Sequence, residues 1–504
     1  MLYRSTRRIT GVIVSPMVLA AILVCAAPTL AQTRRPILSS SAVVPLVPDI
    51  VPASTGPDQT PQIDPTGEPP LPVPRGAPLT LKDAISIALK YHPVAAHAAA
   101  DSGAAEERVG EARSYLGPQL YGVSEYLRTT DNGIGNTSYY NFSDVLPRLT
   151  GTNHDLPSHD TSQSWDTSNN YANGLRVTQY LLDFGRRCGF VEQRRFEAAA
   201  AGDEQQLVNL DLIFEVSRRY FDVLRTTELT RVYEKAVEGE RKPHLREVRL
   251  KVNAKLKPLY DQYVAETQVD RGELDLIDAR NAQADAVLEF DNALGLGGRS
   301  PGYQLVDVLS YFKVTDDMNS LVRDALRRRP DMKAQEDQAR AMGAKIAEYR
   351  SDYLPTVNAV AGYSALGTGL PAANNFNVGI EIVWPIFNSF LTSHQVAETQ
   401  LHRKAIDAQI EALRQRIILQ VETAFQNWQA SVLRIARAEH ALAASRVQLD
   451  LAQKRYFSGH SDILELENAE RFYTIDGATY INALYGFSVA KAAVDRATAR
   501  SLQP

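Results

Sequence analysis

Laid over itself, this 504-residue chain runs through one pattern twice, and a unit that must fold alike in two places excludes most architectures at once. Ala88-Leu89 followed by Pro93 matches Ala325-Leu326 followed by Pro330, and Pro118 matches Pro355, all at an offset of 237 residues. Glu111, Arg113 and Ser114 match Glu348, Arg350 and Ser351 at the same spacing. Beyond Tyr126 and its mate Tyr363 the offset falls to 205: Gly174 matches Gly379, Val177 matches Ile382, Val216 matches Val421 and Tyr220 matches Phe425. The first repeat therefore carries 32 extra residues between Leu127 and Tyr171, a stretch of Asn, Ser, Thr, Asp and Gly that reads as a long solvated loop. The repeats span 79–298 and 321–504, with a linker at 299–320.

The hydrophobic period changes twice within each repeat. Leu81 to Ser114 and Leu321 to Ser351 have helical spacing. The period then becomes two: Val378, Ile380, Ile382, Trp384 and Ile386 alternate with Gly379, Glu381, Val383 and Pro385, about the length of a tilted strand crossing a bilayer. Leu175, Val177 and Leu181 repeat this against Gly174, Arg176 and Thr178. Four strands are expected, near 118–127, 172–184, 355–364 and 377–388, with Trp384, Tyr180, Tyr126 and Tyr363 near strand ends where an interfacial aromatic girdle would lie. Arg176 and Glu381 are expected on the faces turned towards water.

A long helical hairpin follows each strand pair, over 186–295 and 391–502. The stretch from Arg186 to Arg249 reads as one helix of about 64 residues, roughly 96 Å of rod, too long for a single globular core. Leu207, Leu210, Phe214, Phe221 and Leu224, and likewise Leu413, Ile417, Val421, Ala424 and Trp428, have the spacing of coiled-coil side packing. The second rod reverses at Ser458-Gly459-His460-Ser461, where Gly459 is free to take a left-handed conformation. The first has no glycine there, and Asn253 is the expected substitute, because asparagine tolerates that conformation best among the rest.

The N-terminus reads as an export signal over residues 1–31: Arg4, Arg7 and Arg8, an apolar stretch from Val12 to Ala27, then small residues to Ala31. Residues 32–78 form a Pro-rich extended segment, with 12 of the chain's 26 prolines between Pro36 and Pro78. No other apolar run reaches about 18 residues, which excludes a mature helical membrane protein. The net charge of -5 argues against a nucleic-acid binder.

Four membrane strands cannot close a barrel, and unpaired edges are not tolerated in lipid, so the chain is expected to associate with copies of itself. Three chains would supply twelve strands, enough to leave an aqueous lumen. No P-loop, nucleophile elbow or Cys-His pair is present. His154 and His159 with Asp155 and Asp160 have no helical metal-ligand spacing, so no enzyme, cofactor or metal is expected. A periplasmic coiled-coil adaptor or structural rod without a pore is the alternative; it explains the hairpins but not the four alternating strands.

The duplicated order carries A-L-x-x-x-P, Tyr353-Leu354-Pro355 ahead of the third strand, and Leu181-Leu182-Asp183-Phe184-Gly185 after the second. With Gly459 to Ala469 as G-x-x-x-I-L-x-L-x-x-A at the hairpin, it resembles the TolC family of outer membrane efflux proteins from Leu79 to the C-terminus. The resemblance implies a mainly α protein with a membrane β-barrel: a homotrimer whose twelve-stranded barrel in outer membrane lipid is continued by a periplasmic α-helical barrel. It further implies an exit duct of a tripartite efflux or secretion system, passing substrates from an inner-membrane pump through a periplasmic adaptor to the exterior.

In that family acidic side chains ring a closed periplasmic tip. By position after Gly459 the matching residue is Glu465, and its first-repeat counterpart is Asp261, at an offset of 204. The family often has a second acid three residues on; here Asn468 stands there. Lys251, Lys255 and Lys257 lie on the first hairpin and Asp462, Glu465 and Glu467 on the second, and opposed charges on neighbouring hairpins would favour closure by about 0.2–1 kcal/mol for each exposed pair.

Overall fold

A computed structural model describes residues 76, 78–130, 167–297, 302–312, 316–367 and 373–500. The export signal, nearly all of the Pro-rich segment, and residues 131–166 of the first-repeat loop with His154 and His159 lie outside the described residues.

Each repeat opens with two helices where the periodicity predicts one: α1 (Leu81–Tyr91) and α2 (Pro93–Ser114), then α6 (Met318–Arg328) and α7 (Pro330–Ser351). The break has one cause in both. His92 and Arg329 precede proline, whose ring disfavours the helical region for the residue before it, and both take ψ of 128°. Thr80 caps α1 by accepting from the Asp83 amide, and Asp317 caps α6 by accepting from Ser320.

The strands are β2 (Gln119–Thr130), β3 (Thr167–Leu182), β5 (Thr356–Gly367) and β6 (Ala373–Val383), in one antiparallel sheet of order β2-β3-β5-β6. The second strand of each repeat stops sooner than its alternation suggests. In the first, Asp183 accepts from the Gly185 and Arg187 amides and so starts the next helix; in the second, Pro385 cannot donate to a ladder. Past both strands the chain turns through the left-handed region at matched positions, Phe184-Gly185 and Ser389-Phe390.

The linker is more structured than expected. Gln304–Leu305 (β4) pairs in parallel with Pro78–Leu79 (β1), and the buried Tyr220 hydroxyl donates to Leu79 O or to Asp307 Oδ2.

The rods are α3 (Arg186–Glu234), continued through a π-helical segment (Lys235–Arg241) into α4 (Lys242–Asn253), α5 (Leu259–Ala293), α8 (Leu391–Phe457) and α9 (Ile463–Ala497). The expected single helix from Arg186 to Arg249 is therefore interrupted. Pro243 sits in the first turn of α4; it lacks an amide hydrogen and its ring crowds the carbonyl four residues back, and the backbone just ahead widens to i→i+5 bonding. Lys242 N accordingly donates to Val237 O.

The described chain forms two compact units. Of the described residues, one takes those within Glu106–Phe196 and Arg340–Arg403 and holds the four-stranded sheet; the other takes those within 78–105, Glu197–Ala339 and 404–500. In the helical unit two buried clusters reproduce each other across the repeats. Ala88, Val216 and Tyr220 pack in the first, and their mates Ala325, Val421 and Phe425 in the second. A third cluster draws on both hairpins: Leu245 and Leu449, Val248 and Ala452, Ala265 and Ala469 are mates 204 apart that meet in one core.

Candidate functional site

Strand register sorts the sheet into two chemically different faces. Opposite partners share a face, so Phe376, Val378, Ile380 and Ile382 stand with Tyr363, Ala361, Ala359 and Val357, and these with Leu175 and Val177 of β3 and Leu120 of β2. Val378, Ile380 and Ile382 are 67–70% exposed within the chain, far above what a soluble sheet leaves to water. On the other face Arg176 stands opposite Gly362, which is opposite Asn377, and Glu381 opposite Asn358. Arg176 and Glu381 therefore share the polar face, with Gln119, Thr178, Ser364 and Asn375.

Of the aromatic residues, Tyr126 contacts Tyr171, ring centres 5.2 Å apart, on the apolar face. Trp384 donates its indole N–H to Tyr353 O. Tyr180, expected in the girdle, pairs with Asn358 and so belongs to the polar face, where the Arg187 guanidinium covers its ring. Among the described residues the sheet ends on β2 and β6, each hydrogen-bonded on one side only.

The hairpin tips are built alike. Leu256 N donates to Lys251 O and Lys255 N to Val252 O; His460 N donates to Arg455 O and Gly459 N to Tyr456 O, the six-to-one and shorter closures of a helix C-terminus. Gly459 has φ of 82° and Lys255 has φ of 62°. The left-handed residue of the first tip is thus Lys255, not Asn253, which is the last helical residue of α4. The expectation failed because it ranked residues by tolerance; the frame of the helix ending sets the position.

Asp261, in the first turn of α5, is buried and accepts from the buried Tyr456 hydroxyl at 2.9 Å. Burial, with that carboxylate alongside, holds the Tyr456 phenol well above its ordinary range. Its repeat mate Glu465 is half-exposed and pairs with Arg455 at 3.1 Å. Asp462 caps α9 by accepting from the Glu465 amide. Lys257 Nζ lies 4.1 Å from the Tyr456 ring centre and Lys251 Nζ 4.4 Å from that of Phe457. Lys251 and Lys257 therefore sit over second-hairpin aromatic rings within one chain, and Lys251 also pairs with Glu247 of its own helix at 3.3 Å. Glu467 is half-buried, and burial above all raises its carboxyl. Tyr456 and Arg455 were missed in the sequence; the signal was available, since both lie within four residues of Gly459 on the helix that must face Asp261.

Among the described residues no cluster of His, Cys, Asp or Glu could hold a metal ion, and no helix is long and apolar enough to cross a membrane.

Comparison with known proteins agrees with this geometry. The TolC outer membrane protein of Escherichia coli (strain K12) is 24% identical over 422 residues, 79% of this chain and 78% of that one. The cation efflux system protein CusC of the same strain is 22% identical over 355 residues, 69% and 77% of the two chains. A crystal structure of CusC superposes with a TM-score of 0.69 at 19% identity, covering 85% of this chain and 97% of that one. That of the outer membrane protein VceC of Vibrio cholerae gives 0.67 at 16%, covering 83% and 95%. The family model for outer membrane efflux proteins matches both repeats, at residues 84–296 and 321–500. The chain belongs to the outer membrane efflux protein family and is, like its relatives, an exit channel of the outer membrane.

Proposed function

We propose that three copies of this chain close a twelve-stranded barrel in outer membrane lipid, each contributing β2-β3-β5-β6, with the hairpins assembled into a periplasmic α-helical barrel. The observation that supports this reading best is the sheet itself: a strongly exposed apolar face, an opposite polar face, and an open edge at either side. Lipid cannot satisfy an open edge, and pairing β6 of one chain with β2 of the next removes both. Arg176 and Glu381 then face the aqueous bore. The duct receives its substrate from an inner-membrane pump through a periplasmic adaptor, which docks on the hairpin ends.

In this reading the tips form the resting constriction. Asp261 with Tyr456, and Arg455 with Glu465, tie α5 to α8 and α8 to α9. The test is single-channel conductance in planar bilayers, in which Asp261→Ala with Glu465→Ala raises the conductance of the purified trimer. Conductance and closure equal to the parent would remove the gate. A wild-type protein that purifies without detergent as a soluble monomer would remove the channel.

A further inference from the structure

We propose that the buried cluster joining the π-helical segment and α4 to α9 is a proton-operated latch, which holds the two hairpins together when protonated and loosens as its protons leave.

The cluster lies on one side of the repeat only. His244 of α4 meets Glu470 of α9, Nδ1 to Oε1, at 3.0 Å, both residues more than nine-tenths buried. Glu240 of the π-helical segment and Glu467, one turn before Glu470, lie beside them. In the other repeat the corresponding residues are Gln448 for His244, Glu266 for Glu470, Ala444 for Glu240 and Tyr263 for Glu467, and Glu266 pairs with Arg249 instead. A packing requirement would be expected in both repeats; this set is found in one.

The groups are under-partnered. His244 Nε2, Glu240 Oε2 and Glu467 Oε1 are buried without a hydrogen-bond partner, which is costly for an ionised carboxylate and less so for a carboxylic acid. Lys235 and Arg241 near Glu240, and Arg271 near Glu467, each draw their acid down, as does the hydrogen bond between Gln268 and Glu467, but burial outweighs them at both carboxyls. From α8, Tyr456 and Phe457 present aromatic rings to His244. Burial, then the neighbouring Glu470, pushes Glu240 up to about 7.

The sign follows from that elevation. The packed state keeps a proton that a loosened, solvated Glu240 would lose in the ordinary carboxylate range, so packing weakens as pH rises from about 4.5 through about 7. The π-helical segment supplies the compliance, because its widened turn is a local excess of backbone.

Hydrogen exchange of the full mature protein in detergent, corrected for intrinsic chemistry, tests this. Amides of residues 235–253 should open about tenfold more often at pH 8 than at pH 5.5. Amides around Ile417, in a core without the cluster, should not change. Glu240→Gln should hold the low-pH protection at pH 8, and Glu467→Gln, which keeps His244 and Glu470, serves should the first variant fail to fold. An opening rate equal at the two pH values, an equal change around Ile417, or an undiminished response in the folded variants would overturn the latch. Transport plays no part in the read-out, so the result is independent of the channel reading.

Discussion

The tightest constraint on a single side chain at the tips is the buried pair of Asp261 and Tyr456. Tyr456→Phe removes the donor and leaves a buried carboxylate short of a partner, a loss of about 1–3 kcal/mol in unfolding free energy, read from denaturant unfolding of the helical unit in the full protein. A loss no larger than that of an exposed tyrosine would show that the bond contributes nothing. The tip backbone gives a second, opposed pair. Lys255 holds φ of 62° with a side chain, while Gly459 holds φ of 82° with nothing within 4 Å of an added Cβ. Gly459→Ala should therefore destabilise by about 1 kcal/mol, while Lys255→Gly stabilises by relieving a strain of about 1–2 kcal/mol, less the added entropy of the unfolded chain. Thermal unfolding shifts of one sign for both would refute this. Lys255 was legible in principle: the offset of 204 that pairs Asp261 with Glu465 also pairs Lys255 with Gly459. Propensity pointed to Asn253 because a lysine seldom turns left unless the helix ending requires it.

Among the elements, those with a sustained period were readable and those defined by a few residues were not. β6 announced itself because Val378, Ile380 and Ile382 all face one way with Glu381 between them. The two-residue pairing of β1 with β4 has no period at all and depends on Tyr220 and Asp307, 87 residues apart. The π-helical segment was hidden for a different reason: one widened turn shifts the apolar stripe of the rod too little to break a 3,4 pattern, and it is marked only by Pro243 and by the fall of the repeat offset from 205 to 204 between Tyr220 and Leu245. The sheet supplies the test at this scale. Ile380→Lys places a charge on the apolar face near the strand's middle and should cost about 2–4 kcal/mol of barrel stability, whereas Glu381→Lys, on the polar face, should cost little. Heat-modifiable migration of the folded protein in lipid separates the two. Equal loss in both variants would mean that the faces are not lipid and water.

For the whole molecule the decisive quantity is the number of chains, which no single sheet states but its edges limit. β2 and β6 are unlike strands, so a β6-to-β2 joint is heterologous and must close into a ring or grow without end. Two chains would give eight strands, whose interior is filled by side chains; three give twelve, which leave room for water; four give sixteen. The duplication was readable as a repeat, but a repeat fixes only the strands per chain. A photo-crosslinking residue at Tyr121, on the β2 edge, should capture residues 373–383 of a neighbouring chain and give species of two and three chains, with nothing beyond. A ladder running past three would indicate an open or larger ring. Capture only within one chain would mean that β2 finds its second partner elsewhere, and the closed barrel would fail with it.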